Sequence, residues 1–194
     1  MSALFALLVF ALPLEPLVPV ADAIPDAVVD LRYATANNFL KQKLYPDDAR
    51  CLLLKSTVTA LARAAASLRR QGYRLYVYDC YRPVGVQWQM WKAFPKPGYV
   101  ADPRAGSLHN RGAAVDLSLA HLDGGEVEMP TPFDTFSKKA HHSATDVTPA
   151  ASLNRQTLRA AMEDAGFVKN AMEWWHYQLP KAYGYPVRDA GFSP

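Results

Sequence analysis

The segment between the chain's two cysteines, Cys51 and Cys80, constrains the fold more than any other part of the sequence. Ser56 is a suitable N-cap for a helix and Gly72 is a suitable stop. Between them, apolar residues recur at the spacing of one helical face, namely Val58, Leu61, Ala65 and Leu68. The alternating stretch that follows, from Tyr73 to Cys80, is typical of a β-strand. The sequence therefore predicts a helix followed at once by a strand.

The lengths of these two elements leave two interpretations of the cysteines. A helix of about 16 residues rises about 24 Å, and the strand can run back by about 26 Å. Cys51 and Cys80 can therefore lie next to each other. In an exported protein they can form a disulfide, whereas in a cytosolic protein both are more simply small core residues. The sequence alone leaves both interpretations open.

The other predicted elements mix helices and strands without the regular alternation of βαβ units. Helices are expected from Val86 to Phe94 and after Asn154 as N-cap, with a long loop over residues 130–149. Strands are expected from Ala114 to Leu119 and from Met172 to Leu179. This order is typical of an α+β protein with a mainly antiparallel sheet flanked by helices. No repeat divides the 194 residues, which fit one domain at about 100 to 200 residues per domain.

The composition excludes several classes of protein. Hydrophobic residues make up 50% of the chain and charged residues 20%, which excludes disorder, collagen and coiled coil. The 21 Lys and Arg residues against 18 Asp and Glu residues give a net charge of +3, and the sequence has no long run of Lys or Arg. We therefore expect no nucleic-acid partner.

The N-terminus carries an apolar run from Ala3 to Leu14. It has the length of the apolar part of a signal peptide and is too short for a membrane-spanning helix, which needs about 20 residues. No Lys or Arg precedes Arg32, so the basic start of a typical secretory signal is missing, and a buried strand or a disordered leader is the alternative. We predict a signal or leader segment over residues 1–15, followed by one domain over residues 16–194, in a periplasmic or exported protein. A cytoplasmic protein is the alternative, and no stable membrane insertion is expected.

A histidine and an aspartate lie seven positions apart in the stretch from Ser107 to Asp116. Imidazole nitrogen and carboxylate oxygen are good ligands for Zn²⁺, and a turn at Arg111 and Gly112 can bring His109 beside Asp116 on the following strand. Taken alone, this pattern is more typical of a solvated turn histidine and an aspartate at a strand edge.

A second stretch, from Glu173 to His176, places a carboxylate three positions before a histidine, with two tryptophans between them. The histidine can supply a third zinc ligand, and the glutamate can stay off the metal and accept a proton from water. Because residues three apart point to opposite faces of a regular strand, Glu173 must lie at a bend, a bulge or the strand's end. The alternative is an aromatic core strand, which leaves the charge of Glu173 without a partner.

Together with the sequence Tyr81-Arg82-Pro83, these motifs resemble those of the VanX-type D-alanyl-D-alanine dipeptidases. That family consists of zinc peptidases related to D,D-carboxypeptidases and to the Hedgehog-type domain. The resemblance covers most of the chain, including 29–35, 37–39, 78–83, 133–134, 141–142, 162–167, 173–176 and 185–186. It implies a Hedgehog- or D,D-peptidase-like α+β fold and one Zn²⁺ per chain.

The resemblance also implies a role for each residue of the site. Three residues would hold zinc, namely His109, Asp116 and His176. Glu173 would be the general base, and Arg82 would polarise the scissile carbonyl. Three further residues would contact the substrate: Ser107 on its C-terminal side, and Tyr33 and Asp134 near its free amine. His121, His141 and His142 are not assigned to zinc, since tandem histidines in a loop more often bond the local backbone.

We therefore expect a zinc peptidase that hydrolyses the D-alanyl-D-alanine dipeptide to free D-alanine, linked to peptidoglycan metabolism. Its partner is a small D-dipeptide, and the sequence does not fix the oligomeric state. One alternative is a peptidoglycan D,D-carboxypeptidase or endopeptidase with the same metal site. Another is a non-catalytic, zinc-stabilised binding domain, against which the presence of both Glu173 and Arg82 argues.

Overall fold

Residues 14–192 are described by a computed structural model, in which short strands alternate with four α-helices. The strands are Leu17–Pro19 (β1), Val28–Val29 (β2), Leu52–Leu54 (β3), Tyr73–Asp79 (β4), Ala114–His121 (β5), Val168–Lys169 (β6) and His176–Gln178 (β7). The helices are Val20–Ala23 (α1), Lys55–Arg69 (α2), Val84–Ala93 (α3) and Pro149–Asp164 (α4). Short 3₁₀ turns cover Arg32–Ala34, His109–Arg111, Lys138–Ala140 and Ala182–Gly184.

A five-stranded sheet, in the order β2-β4-β5-β7-β6, forms the centre of the fold. β2 runs parallel to β4, whereas the pairings of β4 with β5, β5 with β7 and β6 with β7 are antiparallel. A second sheet consists of β1 and β3, which are antiparallel. The α+β prediction is confirmed, and the central sheet is mixed because the short edge strand β2 is parallel.

The central strand β5 explains why one charged residue, Asp116, is buried in the core. Seven of its eight residues are buried, because α2 and α4 lie near the sheet and neighbouring strands flank β5 on both edges. Its apolar residues Val115, Leu117 and Leu119 belong to the main core cluster. Asp116 alternates with them and is only 3% exposed. A carboxylate buried to this extent needs partners, which the strands beside it provide.

Two helix starts differ from the sequence predictions. α2 begins one residue before Ser56, whose backbone N–H donates to Glu15 Oε2 at 2.8 Å, so the cap comes from a residue distant in sequence. α4 begins well before Asn154, because Thr148 Oγ1 accepts a hydrogen bond from Ala151 N and a proline occupies the first turn. Local spacing therefore located both helices but not their caps.

Cys51 and Cys80 form a disulfide, with their Cα atoms 5.2 Å apart. It joins the residue before β3 to the residue after β4, and α2 and β4 lie within the loop it closes. Of the two interpretations left open by the sequence, the disulfide is the one found. It also lies beside the segment that carries Arg82.

We expect that replacing both cysteines, Cys51→Ser with Cys80→Ser, lowers the free energy of unfolding by about 3 to 4 kcal/mol. The physical reason is that the bond restricts a loop with a sequence separation of 29 in the unfolded chain. Urea unfolding of the wild type and the double variant measures the difference. Reductant is the control and should leave the double variant unchanged. A loss below about 1 kcal/mol would contradict the expectation.

Most of the predicted leader, residues 1–13, lies outside the described residues. Leu14 and Glu15 are described, and Glu15 contacts the start of α2. Within residues 14–192, no helix combines the length and the apolar character needed to span a membrane.

Candidate active site

Three predicted metal ligands come together where β5 and β7 pair. Asp116 on β5 lies directly opposite His176 on β7. His109 reaches them from the 3₁₀ turn before β5, which ends at Gly112 with φ +68°. A side chain at Gly112 would begin 2.5 Å from Leu17 Cδ2 and 3.2 Å from the Leu54 backbone nitrogen, so glycine is needed both for the turn and for the close packing.

The spacing of the candidate ligand atoms is close to that expected around one zinc ion. His176 Nδ1 is 2.9 Å from Asp116 Oδ1 and 3.2 Å from His109 Nε2, and His109 Nε2 is 3.4 Å from Asp116 Oδ2. Bonds of about 2.0 to 2.1 Å to a tetrahedral zinc place its ligand atoms about 3.3 Å apart. All three residues are buried or nearly so. These residues therefore fit the ligand set of a zinc ion.

The ligands are held by further contacts. His109 Nδ1 lies 2.8 Å from the backbone oxygen of Cys80, so Nδ1 is the protonated nitrogen and Nε2 faces the cluster. Burial opposes the charge of Asp116, but His109 and His176 beside it hold the pKa of this carboxyl well below its usual range. The cluster thus offers one anionic and two imidazole ligands.

Glu173 lies in the turn before β7 and not on a strand. The strand predicted from Met172 to Leu179 is shorter in the structure, where β7 begins only at His176. A bend at Glu173, where His176 N donates to Glu173 O at 3.3 Å, allows both side chains to reach one cavity. Glu173 is 6% exposed, and burial, with repulsion from Asp116 and Asp134, raises its pKa to about 8. A carboxyl in such an environment holds a proton more readily than an exposed one does.

Arg82 is fixed in place by two buried partners. Its Nε and one terminal nitrogen donate to Asp79 Oδ2 at 3.1 and 2.7 Å, and its other terminal nitrogen donates to Gln87 Oε1 at 2.8 Å. The guanidinium lies over the ring of Tyr33, 5.1 Å from its centroid. A guanidinium has five N–H groups, so two remain for a ligand in the cavity. Burial opposes its charge, but Asp79 keeps the pKa of Arg82 well above its ordinary value.

All eight predicted site residues line a single cavity of about 430 Å³. They are Tyr33, Arg82, Ser107, His109, Asp116, Asp134, Glu173 and His176. Ser107 Oγ accepts a hydrogen bond from His109 N at 3.2 Å, which places Ser107 beside the metal ligands. Aromatic rings, among them Trp175 and Phe136, complete the wall. The cavity has the size of a site for a small molecule.

Asp134 is a third carboxylate in this cavity, besides Asp116 and Glu173. Tyr33 donates to its Oδ1 at 3.1 Å, and the Phe39 backbone N–H donates to its Oδ2 at 3.3 Å. Its backbone has φ +61°, an uncommon value for a residue other than glycine. Burial and the charge of Asp116 raise the pKa of Asp134 to about 7. A buried carboxylate of this kind is suited to pair with a cation.

Several residues that support the site were missed by the sequence analysis. Asp79 was interpreted only as part of a strand, although a charged residue at the end of an apolar strand and three positions before Arg82 was an available signal. Gln87 and Asn170 gave no signal, because their roles depend on how the chain folds. The rings of the tandem histidines do not bond the local backbone as expected: His141 Nε2 lies 3.4 Å from Tyr99 Oη, and neither His142 ring nitrogen has a partner within residues 14–192.

The family of the chain follows from comparison with known proteins. A family model for peptidase family M15, described as D-ala-D-ala dipeptidase, matches residues 14–192. The chain therefore belongs to this family of peptidases, and the fold and the site are those of an enzyme.

Individual relatives agree with this assignment. The chain is 41% identical, over 177 residues, to the D-alanyl-D-alanine dipeptidase of Escherichia coli (strain K12), with 91% of each chain covered. It is 34% identical over 173 residues to the D-alanyl-D-alanine dipeptidase of Enterococcus faecalis, covering 77% of this chain and 84% of the relative. It is 35% identical over 176 residues to that of Streptomyces coelicolor, with the same coverage.

Proposed function

We propose that the chain hydrolyses the D-alanyl-D-alanine dipeptide to free D-alanine with one zinc ion, held by His109, Asp116 and His176. The observation that carries this proposal is the position of Glu173, Arg82 and Asp134 around the same cavity as the metal cluster. A zinc ion held only for structure needs neither a buried base nor a fixed arginine beside it. The family assignment and the names of the relatives support the substrate.

Glu173 is the general base in this proposal. Zinc, when bound, supplies a Lewis acid that polarises the scissile carbonyl and lowers the pKa of water. Glu173 accepts the proton of the attacking water, and it then donates that proton to the amine that leaves as D-alanine. Its burial, at 6% exposure, keeps bulk water from competing for the proton.

Arg82 stabilises the negative charge that develops on the carbonyl oxygen. Asp79 and Gln87 already hold three of its N–H groups, so the guanidinium needs no reorganisation when that charge appears. A fixed positive charge in a buried site stabilises a nearby negative charge more strongly than the same charge does in water. Ser107, at the same wall of the cavity, contacts the C-terminal side of the substrate.

Asp134 and Tyr33 bind the free amine of the dipeptide. An ammonium is the natural partner of a buried carboxylate, and Tyr33 keeps the carboxylate oriented by its hydrogen bond at 3.1 Å. A carboxylate at this end favours a free dipeptide over a longer peptide. In a longer peptide, the nitrogen at this position belongs to a peptide bond and carries no charge.

We expect Asp134→Asn to raise the KM for D-alanyl-D-alanine by about 10- to 100-fold with a smaller change in kcat, because a buried charge pair is lost. Because the neutral acid binds an ammonium poorly, the KM of the wild type should rise as the pH falls below the Asp134 pKa of about 7. The variant should lack that rise. Initial rates between pH 6 and 8 measure both effects, with Asp123→Asn, in an exposed turn, as the control. An unchanged KM would contradict the assignment.

The competing function with the same metal site is a D,D-carboxypeptidase or endopeptidase. It is tested by comparing D-alanine release from free D-alanyl-D-alanine with release from an acylated tripeptide that ends in D-Ala-D-Ala. Cleavage of the free dipeptide alone supports the proposed function. Cleavage of the blocked peptide supports the alternative, and cleavage of neither supports a binding domain.

We also propose that the protein works outside the cytoplasm, with a leader over residues 1–15 and the catalytic domain over residues 16–194. The disulfide between Cys51 and Cys80 supports this proposal, because such bonds persist in oxidising compartments. A fold of the kind shared by D,D-peptidases and the Hedgehog-type domain is part of the same proposal, supported by the α+β architecture and the ligand set.

A further inference from the structure

The turn between β6 and β7 carries Glu173, leads into His176 and is organised around Asn170. This turn begins directly after β6 and ends at His176, where β7 starts. The backbone N–H of Asn170 donates to His176 O at 3.0 Å, and its backbone oxygen accepts from Glu173 N at 3.3 Å. Both bonds close the turn, so the position of Asn170 fixes where the turn brings Glu173.

The side chain of Asn170 has a defined orientation. Its Oδ1 accepts a hydrogen bond from Met172 N at 3.0 Å, which only the oxygen of the amide can do. Its Nδ2 therefore points the other way, and it donates to Glu173 Oε2 at 2.8 Å. Asn170 lines the same cavity as Glu173.

This bond leaves the two carboxylate oxygens of Glu173 in different environments. Oε2 accepts the hydrogen bond from Asn170, and Oε1 has no such donor among residues 14–192. An amide donor is neutral, so it orients the carboxylate without forming an ion pair that would weaken it as a base. A lysine or arginine in the same place would orient the carboxylate, but it would also form an ion pair that makes the carboxylate a weaker base.

We propose that Asn170 is a positioning residue that holds Glu173 Oε2 and thereby directs Oε1 toward the attacking water. The inference rests on the proposed function, since it takes Glu173 as the general base. In this proposal Asn170 acts through Glu173 and not on the substrate. Its effect reaches the reaction only through the direction of the Glu173 carboxylate.

Asn170→Asp keeps an oxygen for Met172 N but replaces the Nδ2 donor with a carboxylate oxygen, so it removes the hydrogen bond and adds a negative charge beside Glu173. We expect kcat for D-alanyl-D-alanine to fall by about 100-fold, the effect of misplacing a catalytic group by about 1 Å. The KM and the zinc affinity should stay within about threefold of the wild type, because neither depends on that carboxylate oxygen. Asn170→Ser, which is too short to reach Glu173, should show the same split if the aspartate variant does not fold.

Asn154→Asp is the matched control, since Asn154 Nδ2 donates to Glu128 O at the surface, and its kcat should not change. Equal losses in zinc affinity, KM and kcat at position 170 would show a merely structural role and overturn the proposal. A kcat within about threefold of the wild type would overturn it as well.

Crystal structures of the zinc-loaded wild type and Asn170→Asp separate this inference from the proposed function. If the wild type releases no D-alanine, the proposed function fails, and the position of Glu173 then decides the role of Asn170. A carboxylate displaced by about 1 Å or more supports the proposal, and one that stays within about 0.5 Å overturns it.

Discussion

Glu173→Gln should retain zinc and lose most of its activity on D-alanyl-D-alanine. The expected fall in kcat is about 100- to 10,000-fold, the range that general acid–base catalysis contributes. Glutamine has the same shape and can still accept the hydrogen bond from Asn170, but its amide cannot take a proton from water. The loss should therefore appear in kcat rather than in KM.

Two measurements accompany the kinetics of Glu173→Gln. Zinc content by elemental analysis should equal that of the wild type, because Glu173 is not among the three clustered ligands. Glu128→Gln is the control. Glu128 is an exposed glutamate whose carboxylate accepts a hydrogen bond from Thr148 Oγ1, and its substitution should leave kcat unchanged. A kcat for Glu173→Gln within about tenfold of the wild type would remove Glu173 from the mechanism.

Arg82→Lys should reduce kcat by about 100- to 1,000-fold, as the loss of an oxyanion donor does in other enzymes. Lysine keeps the positive charge, but it cannot donate to Asp79 and Gln87 in the fixed fork of a guanidinium and still face the cavity. The charge then no longer has a defined position when the oxyanion forms. Steady-state kinetics on D-alanyl-D-alanine measure the effect.

Arg104→Lys is the matched control for this substitution. Arg104 Nε also contacts an aspartate, Asp102 Oδ1 at 2.9 Å, but the pair lies at the surface. The control should keep the wild-type kcat. If the two lysine variants had the same kcat, Arg82 would have no role in stabilising the transition state. Arg82→Ala is less informative, because an unpaired buried Asp79 is expected to cost about 3 to 5 kcal/mol of stability.

The parts of the fold that the sequence predicted depend on local patterns. α2 follows from the spacing of apolar residues over one helical face, and β4 follows from alternation along a strand. Each pattern is formed by residues that are close together in the sequence. The position of Asp116 on a strand follows from the same alternation. These are properties of contiguous residues, so they can be seen without knowledge of how the chain folds.

Other features depend on contacts between distant parts of the chain. The cap of α2 comes from Glu15, and the anchor of Arg82 includes Gln87 on α3. No periodicity indicates such contacts. The parallel pairing of β2 with β4 was missed for the same reason, since two residues are too few to form a pattern.

The metal site is an intermediate case. The motifs identified His109, Asp116 and His176 as ligands through a resemblance, but the stretch around His109 and Asp116 taken alone favoured a solvated turn histidine. What brings the three together is the register that places Asp116 opposite His176. The difficulty that Glu173 cannot share a strand face with His176 is resolved by a turn, whose bonds to Asn170 were not visible in the sequence.

The central claim is that the cluster of His109, Asp116 and His176 holds the zinc ion on which hydrolysis depends. The most direct measurement is D-alanine release from D-alanyl-D-alanine by the purified protein, before and after chelation and again as zinc is titrated back. We predict that activity is lost on chelation and returns in proportion to zinc, reaching its maximum at one ion per chain. His176→Ala should neither retain the ion nor recover activity. Full activity in the chelated protein, or in His176→Ala, would contradict the account.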